Sequence, residues 1–167
     1  MKKIYMIIFS SLLLMSFVIP GLSDVQGKTN EIQFTNVDVK TNQAERQIPM
    51  LASLQQVSPN QLTITYDRPV DLNKGMKASN YWIQSLTDVT PKGIATLGKN
   101  DKVTDQNALT SDKVMIRKIQ GNNNSFLLTF KQNITPNKKY KLIICYVTVP
   151  GGPPYSGDNG MKIFKGR

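Results

Sequence analysis

Short runs of β-branched and aromatic residues, separated by turn-forming residues at fairly regular intervals, fill the sequence from residue 48 onward. "QLTITY" (61–66) alternates apolar with polar side chains, as expected of a strand with one buried and one wet face. "KVMIRKI" and "FLLTFKQ" flank "QGNNNS", a hairpin signal. No helical periodicity stands out. The pattern predicts an all-β sandwich or barrel in which Leu62, Ile64 and Tyr66 face the core.

The segment "TPNKKYKLIICYVTV" (135–149) has the pattern of a strand that enters a core behind a turn. In Greek-key sandwiches, a tyrosine near the start of the penultimate strand packs inward while its hydroxyl bonds backbone in the preceding turn. Tyr140 is predicted to be this structural tyrosine, and Leu142 and Ile144 continue its face. The opposite face is too apolar for open solvent and needs cover from the N-terminal segment, a sheet bend or a partner. Its residues are Ile143, Cys145 and Val147.

Taken together, these motifs resemble the bacterial immunoglobulin-like domains of S-layer and other Gram-positive surface proteins. The resemblance covers roughly residues 50–166, and its matching pieces are Leu62 to Asp71, Asn80 to Ile83, Phe126 to Phe130, Pro136 to Leu142 and Asp158 to Gly160. It implies an immunoglobulin-like Greek-key β-sandwich of about seven strands. It also implies a spacer, stalk or adhesive module. The longest polar stretch, residues 98–112, predicts a mobile loop.

The N-terminus has the three-part pattern of a secretory signal. Lys2 and Lys3 precede an apolar run (4–19) that is followed by Pro20 and Gly21. The run is shorter than the roughly 20 residues that span a bilayer, so a retained anchor is the alternative and secretion the expectation. Cell-wall association and the cleavage position are left open. No stable membrane insertion is expected after cleavage.

These signals divide the chain into three predicted segments. Residues 1–27 form a signal peptide, residues 28–47 a linker or extra edge strand, and residues 48–167 the immunoglobulin-like sandwich. Because the chain carries its own signal and shows no wall-sorting tail, a binding role is expected over a spacer role.

Residue types that support catalysis are scarce. The chain has one cysteine and no histidine, so an intramolecular disulfide and a histidine-activated thiolate are both excluded. Cys145 is predicted to be a buried small hydrophobe. Asp67 and Asp71 in "DRPVD" could serve glycoside hydrolysis, but they match the strand-end turn of the resembled domains. The protein is predicted to be no enzyme and to need no cofactor.

The charge favours anionic partners. The sequence has 21 basic and 11 acidic residues, and loss of residues 1–27 leaves 19 and 10, a net charge of about +9. Basic residues on the predicted hairpin and the following turn and strand form a candidate basic patch on one sheet, whose alternative is an ordinary solvated face. They are Lys113, Arg117, Lys131, Lys138, Lys139 and Lys141. Only "KKYK" interleaves lysine with an aromatic residue, so nucleic acid is disfavoured as the ligand.

The loop from residue 150 to residue 160 is the best candidate ligand surface. Its prolines reduce the entropy lost on binding, and Tyr155 offers amphipathic contact area. Asp158 and Asn159 add oxygen ligands of the kind calcium prefers, although a tight turn explains the same residues and calcium binding is left open. No metal site is predicted.

Tyr81 and Trp82 are adjacent on a predicted strand and therefore point to opposite faces. One of the two is expected in the core and the other exposed or packed under a loop, and Trp82 is predicted to be the structural, core residue. Its alternative is a platform on which a sugar stacks.

The expected function is a non-enzymatic adhesion or interaction module, secreted or associated with the cell surface, that binds envelope components. The alternative is a basic electrostatic binder of an anionic polymer: a wall polymer, a glycan or extracellular nucleic acid. The expected partner is a cell-envelope protein or an anionic surface polymer. No sequence feature indicates the oligomeric state.

Overall fold

The computed structural model describes residues 48–167. The predicted signal peptide (1–27) and the predicted linker or edge strand (28–47) lie outside these residues. The strands are β1 (Leu51–Ser58), β2 (Gln61–Tyr66), β3 (Tyr81–Ser85), β4 (Val114–Lys118), β5 (Ser125–Phe130), β6 (Lys139–Cys145) and β7 (Asp158–Lys165). One helical turn, α1 (Leu72–Gly75), and two 3-10 turns, Ala78–Asn80 and Asp105–Asn107, complete the regular structure. Within residues 48–167, no helix has the length and apolar character needed to cross a membrane.

The strands form two antiparallel sheets. The order is β1-β2-β5-β4 in one sheet and β3-β6-β7 in the other. The chain passes from the first sheet to the second after β2, returns for β4 and β5, and passes again to the second for β6 and β7. The predicted all-β sandwich of about seven strands is confirmed. The predicted hairpin is β4–β5, whose register runs from Val114↔Phe130 to Lys118↔Phe126.

The main core lies between the sheets. Along β2, Leu62, Ile64 and Tyr66 have no exposed surface, whereas the residues between them are half-buried, so the predicted alternation is confirmed. Phe126 packs edge-to-face on Tyr66, with ring centroids 6.0 Å apart. The second sheet contributes Leu142 and other residues that alternate along β6. Each buried aliphatic or aromatic side chain of this kind contributes about 1.5–3 kcal/mol of transfer free energy.

A smaller apolar cluster covers part of the outer face of the three-stranded sheet. Trp82 is fully buried there, together with Leu97, Ala108 and Ile143. The indole Nε1 of Trp82 donates to the carbonyl oxygen of Thr104 at 2.9 Å. The predicted mobile loop is therefore fastened to the sheet, and it supplies the cover that the apolar face of β6 requires.

Buried hydroxyls join the two sheets near α1. The Tyr81 hydroxyl donates to the carbonyl oxygen of Gly75 at 2.5 Å and lies 2.9 Å from the Tyr66 hydroxyl. Because the single Tyr81 proton goes to Gly75, the Tyr66 hydroxyl is the donor in the pair. Burial raises the pKa of Tyr66 and of Tyr81 well above the usual tyrosine value, so both remain protonated.

Strands β1 and β7 lie side by side at one margin of the sandwich. The amide of Asn159 at the start of β7 donates to the carbonyl oxygen of Pro49 at 2.8 Å. At the other end, the backbone N–H of Arg167 donates to Oε1 of Gln56 at 3.0 Å. The two strands therefore run in the same direction.

Candidate functional site

The predicted basic patch is two surfaces, not one. Lys113, Arg117 and Lys131 belong to the β4–β5 hairpin of the four-stranded sheet, whereas Lys138, Lys139 and Lys141 begin or precede β6 of the other sheet. The prediction placed them on one sheet because it treated β6 as a neighbour of the hairpin. The crossing after β5 puts these two groups of basic residues on different sheets.

One basic surface is the exposed end of the outer face of the three-stranded sheet. Lys139 and Lys141 point outward because Tyr140 and Leu142, with which they alternate, are buried between the sheets. Lys165 on β7 is the register partner of Lys139. These three residues, Lys139, Lys141 and Lys165, are named the lysine face here. None of them makes an ion pair with another residue of the described part of the chain.

An exposed apolar side chain adjoins the lysine face. Ile163 is the register partner of Lys141 and is 65% exposed. Lys138, in contrast, is not part of this face. Its ammonium group lies 2.7 Å from Asp88 Oδ2, and this contact lowers the pKa of Asp88.

The second basic surface is a pocket of about 360 Å³ at the end of the hairpin. Lys113 and Lys131 flank it and are held together by a backbone bond of 3.0 Å from Lys131 N–H to Lys113 O. Lys92 completes the set from the loop that follows β3. These residues define the basic pocket, whose further lining includes Thr96, Asp112 and Gln132. Arg117 does not line it, because it is exposed farther along the outer face of β4, opposite Leu127.

Electrostatics in the basic pocket are dominated by the lysines. A hydrogen bond from the Thr110 side chain is the main cause of the lowered pKa of Asp112. The positive charges of Lys131 and Lys113 lower this pKa further. Asp112 is therefore ionised at neutral pH. Three positive groups and one negative group leave a net positive charge in the pocket.

The loop from residue 150 to residue 160 covers a small apolar hollow of about 170 Å³. Tyr155 is half-buried in its wall, and its hydroxyl donates to the carbonyl oxygen of Asp158 at 3.0 Å. The Tyr155 ring also lies directly against Gly157, where a Cβ atom would overlap it. The hollow is lined mainly by apolar side chains, among them Val149, Pro153 and Pro154.

The sequence pattern made Asn159 a candidate ligand contact, and this prediction is wrong. Its side chain has no exposed surface and joins three backbone groups: Oδ1 accepts from Val147 N–H, and Nδ2 donates to the oxygens of Val147 and Pro49, all at 2.8 Å. It cannot contact a ligand at the surface. Asp158 is exposed, but its Oδ1 accepts the N–H of Gly160 at 2.6 Å. Residues 48–167 contain no group of three or more Asp, Glu, His or Cys that could hold a metal.

The two predicted structural aromatics are both buried. Trp82 has no surface for sugar stacking, so that alternative is wrong. Tyr140 packs in the main core, stacked on Phe164 with ring centroids 5.4 Å apart. Its hydroxyl makes no hydrogen bond to any residue between 48 and 167, which contradicts the predicted corner bond. Ring stacking, not a hydroxyl bond, holds Tyr140 in place.

The sequence candidates for catalysis have structural roles. Asp67 accepts from Met50 N–H at 2.9 Å and pairs with Arg68 at 3.0 Å, and the Arg68 bond lowers the pKa of Asp67. Asp71 caps α1 by accepting from Lys74 N–H at 3.0 Å. Partial burial raises the pKa of the Cys145 thiol, which disfavours the thiolate.

Sequence reasoning missed Lys92 and Lys165. Lys92 lies in "TPKGIAT", and 20 residues or more separate it from Lys113 and Lys131. Lys165 lies in the closing strand "MKIFK". Lys165 could have been found by counting the lysines that face outward on β6 and β7 together. No local sequence signal identifies Lys92.

The fold and the site together define an all-β, two-sheet sandwich with two separate basic surfaces. No protein-family model matches the sequence. No curated protein matches it either. Solved structures of the S-layer protein SbsC are similar in fold. The structure of rSbsC(31-844) matches 77% of this chain with a TM-score of 0.47 and 15% sequence identity. The structure of domains 1-6 also matches 77% of this chain, with a TM-score of 0.47 and 13% sequence identity.

A third structure, of the N-terminal part of the bacterial S-layer protein SbsC, has a TM-score of 0.46 and 15% identity. This chain covers 15% to 26% of the chains in these structures.

Proposed function

We propose that this protein is a non-enzymatic, cell-surface-associated module of the immunoglobulin-like type that binds an anionic polymer of the cell envelope through its lysine face. The strand order supports the fold type: β1-β2-β5-β4 and β3-β6-β7 correspond to strands A-B-E-D and C-F-G of the constant-type immunoglobulin sandwich. The apolar N-terminal run and the motif resemblance support the location.

The observation that carries the proposal is the pairing of Lys139 with Lys165. Like charges directly opposite each other in a sheet destabilise it. Lys141 adds a third charge two residues along β6, about 7 Å away. No acidic residue of the described chain neutralises any of the three. An extended polyanion laid across β6 and β7 would relieve this repulsion.

Binding without catalysis fits the rest of the chain. Catalysis by general acid or nucleophile needs a group with a suitable pKa in reach of a substrate. The Asp67 carboxyl has a lowered pKa and two partners, and Asp71 is a helix cap. The chain contains no histidine. These features favour a passive binding role.

The test is retention on an immobilised polyphosphate chain and on isolated anionic wall polymer. Simultaneous replacement of the lysine face by glutamine (Lys139→Gln, Lys141→Gln, Lys165→Gln) should abolish most of the retention. The matched control replaces three exposed lysines elsewhere, Lys77, Lys99 and Lys102, and removes the same charge.

The wild-type affinity should fall with salt with a log–log slope of about −2 to −3, as counterion release from three contacts requires. If retention falls equally in the test and control variants, net charge, and not the lysine face, governs binding. Retention that does not respond to salt would contradict the proposal directly.

Binding of an envelope protein is the second candidate, and the apolar hollow beside Tyr155 favours it. Protein partners typically insert an apolar or aromatic anchor into such a depression. In a parallel pull-down from the envelope fraction, capture of an envelope protein that survives the lysine replacements but is lost in Tyr155→Ala would select this function.

A further inference from the structure

We propose that the basic pocket is a separate binding site for a small ligand that carries one oxyanion group, a phosphate, sulfate or carboxylate, on a hydroxylated body such as a sugar. This site goes beyond the proposed function, because none of its residues belongs to the lysine face.

The charge arrangement supports an oxyanion. Lys92, Lys113 and Lys131 come from three segments of the chain and line a single concavity. None of them forms an ion pair with the described residues, although Asp112 lies in the same wall. A concave wall of low dielectric concentrates the field of such groups, so the pocket attracts anions more strongly than dispersed surface lysines do.

The pocket walls are fixed by the backbone. The bond from Lys131 N–H to Lys113 O aligns the hairpin side, and Thr96 N–H donates to Ile83 O at 2.8 Å on the loop side. Ile94 and Ala95, which also line the pocket, are anchored in the main core. The backbone of the site therefore requires little ordering when a ligand binds, which favours affinity.

The remaining lining supports a hydroxylated body. Its volume of about 360 Å³ lies at the lower end of the range for small-molecule pockets, and a single phosphate would leave much of it empty. The ionised Asp112 can accept hydrogen bonds from ligand hydroxyls, and the exposed Gln132 amide can both donate and accept. A carboxylate and an amide beside three lysines suit a ligand that carries both an oxyanion and hydroxyl groups.

A second observation is independent of charge. Thr96 lines the pocket, and its Oγ1, which has almost no solvent-accessible surface, has no hydrogen-bond partner among residues 48–167. Such groups are rare and usually indicate a missing partner.

The experiment is an amide NMR titration of the full chain with inorganic phosphate, sulfate, glucose 1-phosphate, glucuronate and uncharged glucose at constant ionic strength. Shifts should be confined to the amides of residues 92–96, 111–113 and 130–132. Glucose 1-phosphate should bind about tenfold tighter than inorganic phosphate, and glucose should not bind. Replacing Lys92, Lys113 or Lys131 by glutamine should each weaken binding about five- to tenfold.

Lys102→Gln is the matched control, since Lys102 is exposed and lies outside the pocket. It should bind like the wild type, as should the triple lysine-face variant, which separates this site from the proposed function. Shifts spread over all lysine-rich regions, or equal weakening by Lys102→Gln, would overturn the proposal. So would equal affinities for inorganic phosphate and glucose 1-phosphate.

Discussion

The buried tyrosine hydroxyls have unequal energetic roles, although they share one hydrogen bond. Tyr81→Phe removes both the donor to Gly75 O and the acceptor for Tyr66, so two buried groups lose a partner and the expected loss of stability is about 2–3 kcal/mol. Tyr66→Phe leaves the Tyr81–Gly75 bond intact and should cost about 1 kcal/mol. Urea denaturation measures both.

Tyr140→Phe is the control for these substitutions, because the Tyr140 hydroxyl has no hydrogen bond among residues 48–167. It should be close to neutral. Equal losses for Tyr81→Phe and Tyr66→Phe would show that the assigned direction of the hydroxyl pair is wrong.

Periodicity predicted which residues of β2 and β6 are buried, because alternation follows from strand geometry alone. It could not predict where buried hydroxyls find partners. The acceptor for Tyr81 is the carbonyl oxygen of Gly75, whose position depends on α1 and its Asp71 cap. Asn159 failed as a ligand candidate for the same reason, since its partners lie 12 and 110 residues away.

The loop of residues 98–112 acts as a structural element that covers Trp82. Gly98 is required at its start because a Cβ there would overlap the carbonyl oxygen of Val89. Nearby backbone is held by the bond from Lys99 N–H to Asp88 O at 2.8 Å, so it cannot yield easily. Gly98→Ala should therefore destabilise the protein by about 2–3 kcal/mol and shift Trp82 fluorescence to the red.

Gly121→Ala provides the comparison. Gly121 has a φ of +77° but open space around its Cβ position, so only conformational strain of about 1 kcal/mol is expected and Trp82 should be unaffected. A Trp82 environment that is unchanged in Gly98→Ala would mean that the loop does not cover the indole.

Local patterns predicted strands better than they predicted this cover. The buried apolar residues here, Leu97 just before the loop and Ala108 and Leu109 within it, are dispersed among polar ones and form no periodic run. Long-range hydrogen bonds from β3 side chains hold the loop in place, such as Gln84 Nε2 to Gly98 O at 3.1 Å. The basic pocket was missed for a similar reason, since it combines three segments that only the sandwich brings together.

For the whole molecule, the absence of histidine predicts a flat pH dependence of stability near neutrality. The raised pKa values of Tyr66 and Tyr81 contribute stability that is fully present below about pH 10 and is lost as the pH rises further. The lowered pKa values of Asp67 and Asp88 contribute stability above about pH 4 that is lost as the pH falls.

The free energy of unfolding, measured with urea at each pH, should therefore be nearly constant from about pH 5 to pH 9. It should decline on both sides of that range, and in Tyr66→Phe the alkaline decline should be weaker. A transition between about pH 6 and pH 8 would contradict this assignment of titrating groups.

The parallel course of β1 and β7 has a mechanical consequence. Residue 48 and Arg167 leave the sandwich at opposite ends, so tension applied between them pulls along both strands. The ladders β1–β2 and β6–β7 would then be loaded in shear, and their hydrogen bonds, which lie perpendicular to the strands, must break together instead of one at a time. Such a unit should extend in a single abrupt event in a force–extension trace. Gradual lengthening at low force would indicate that the strands peel apart.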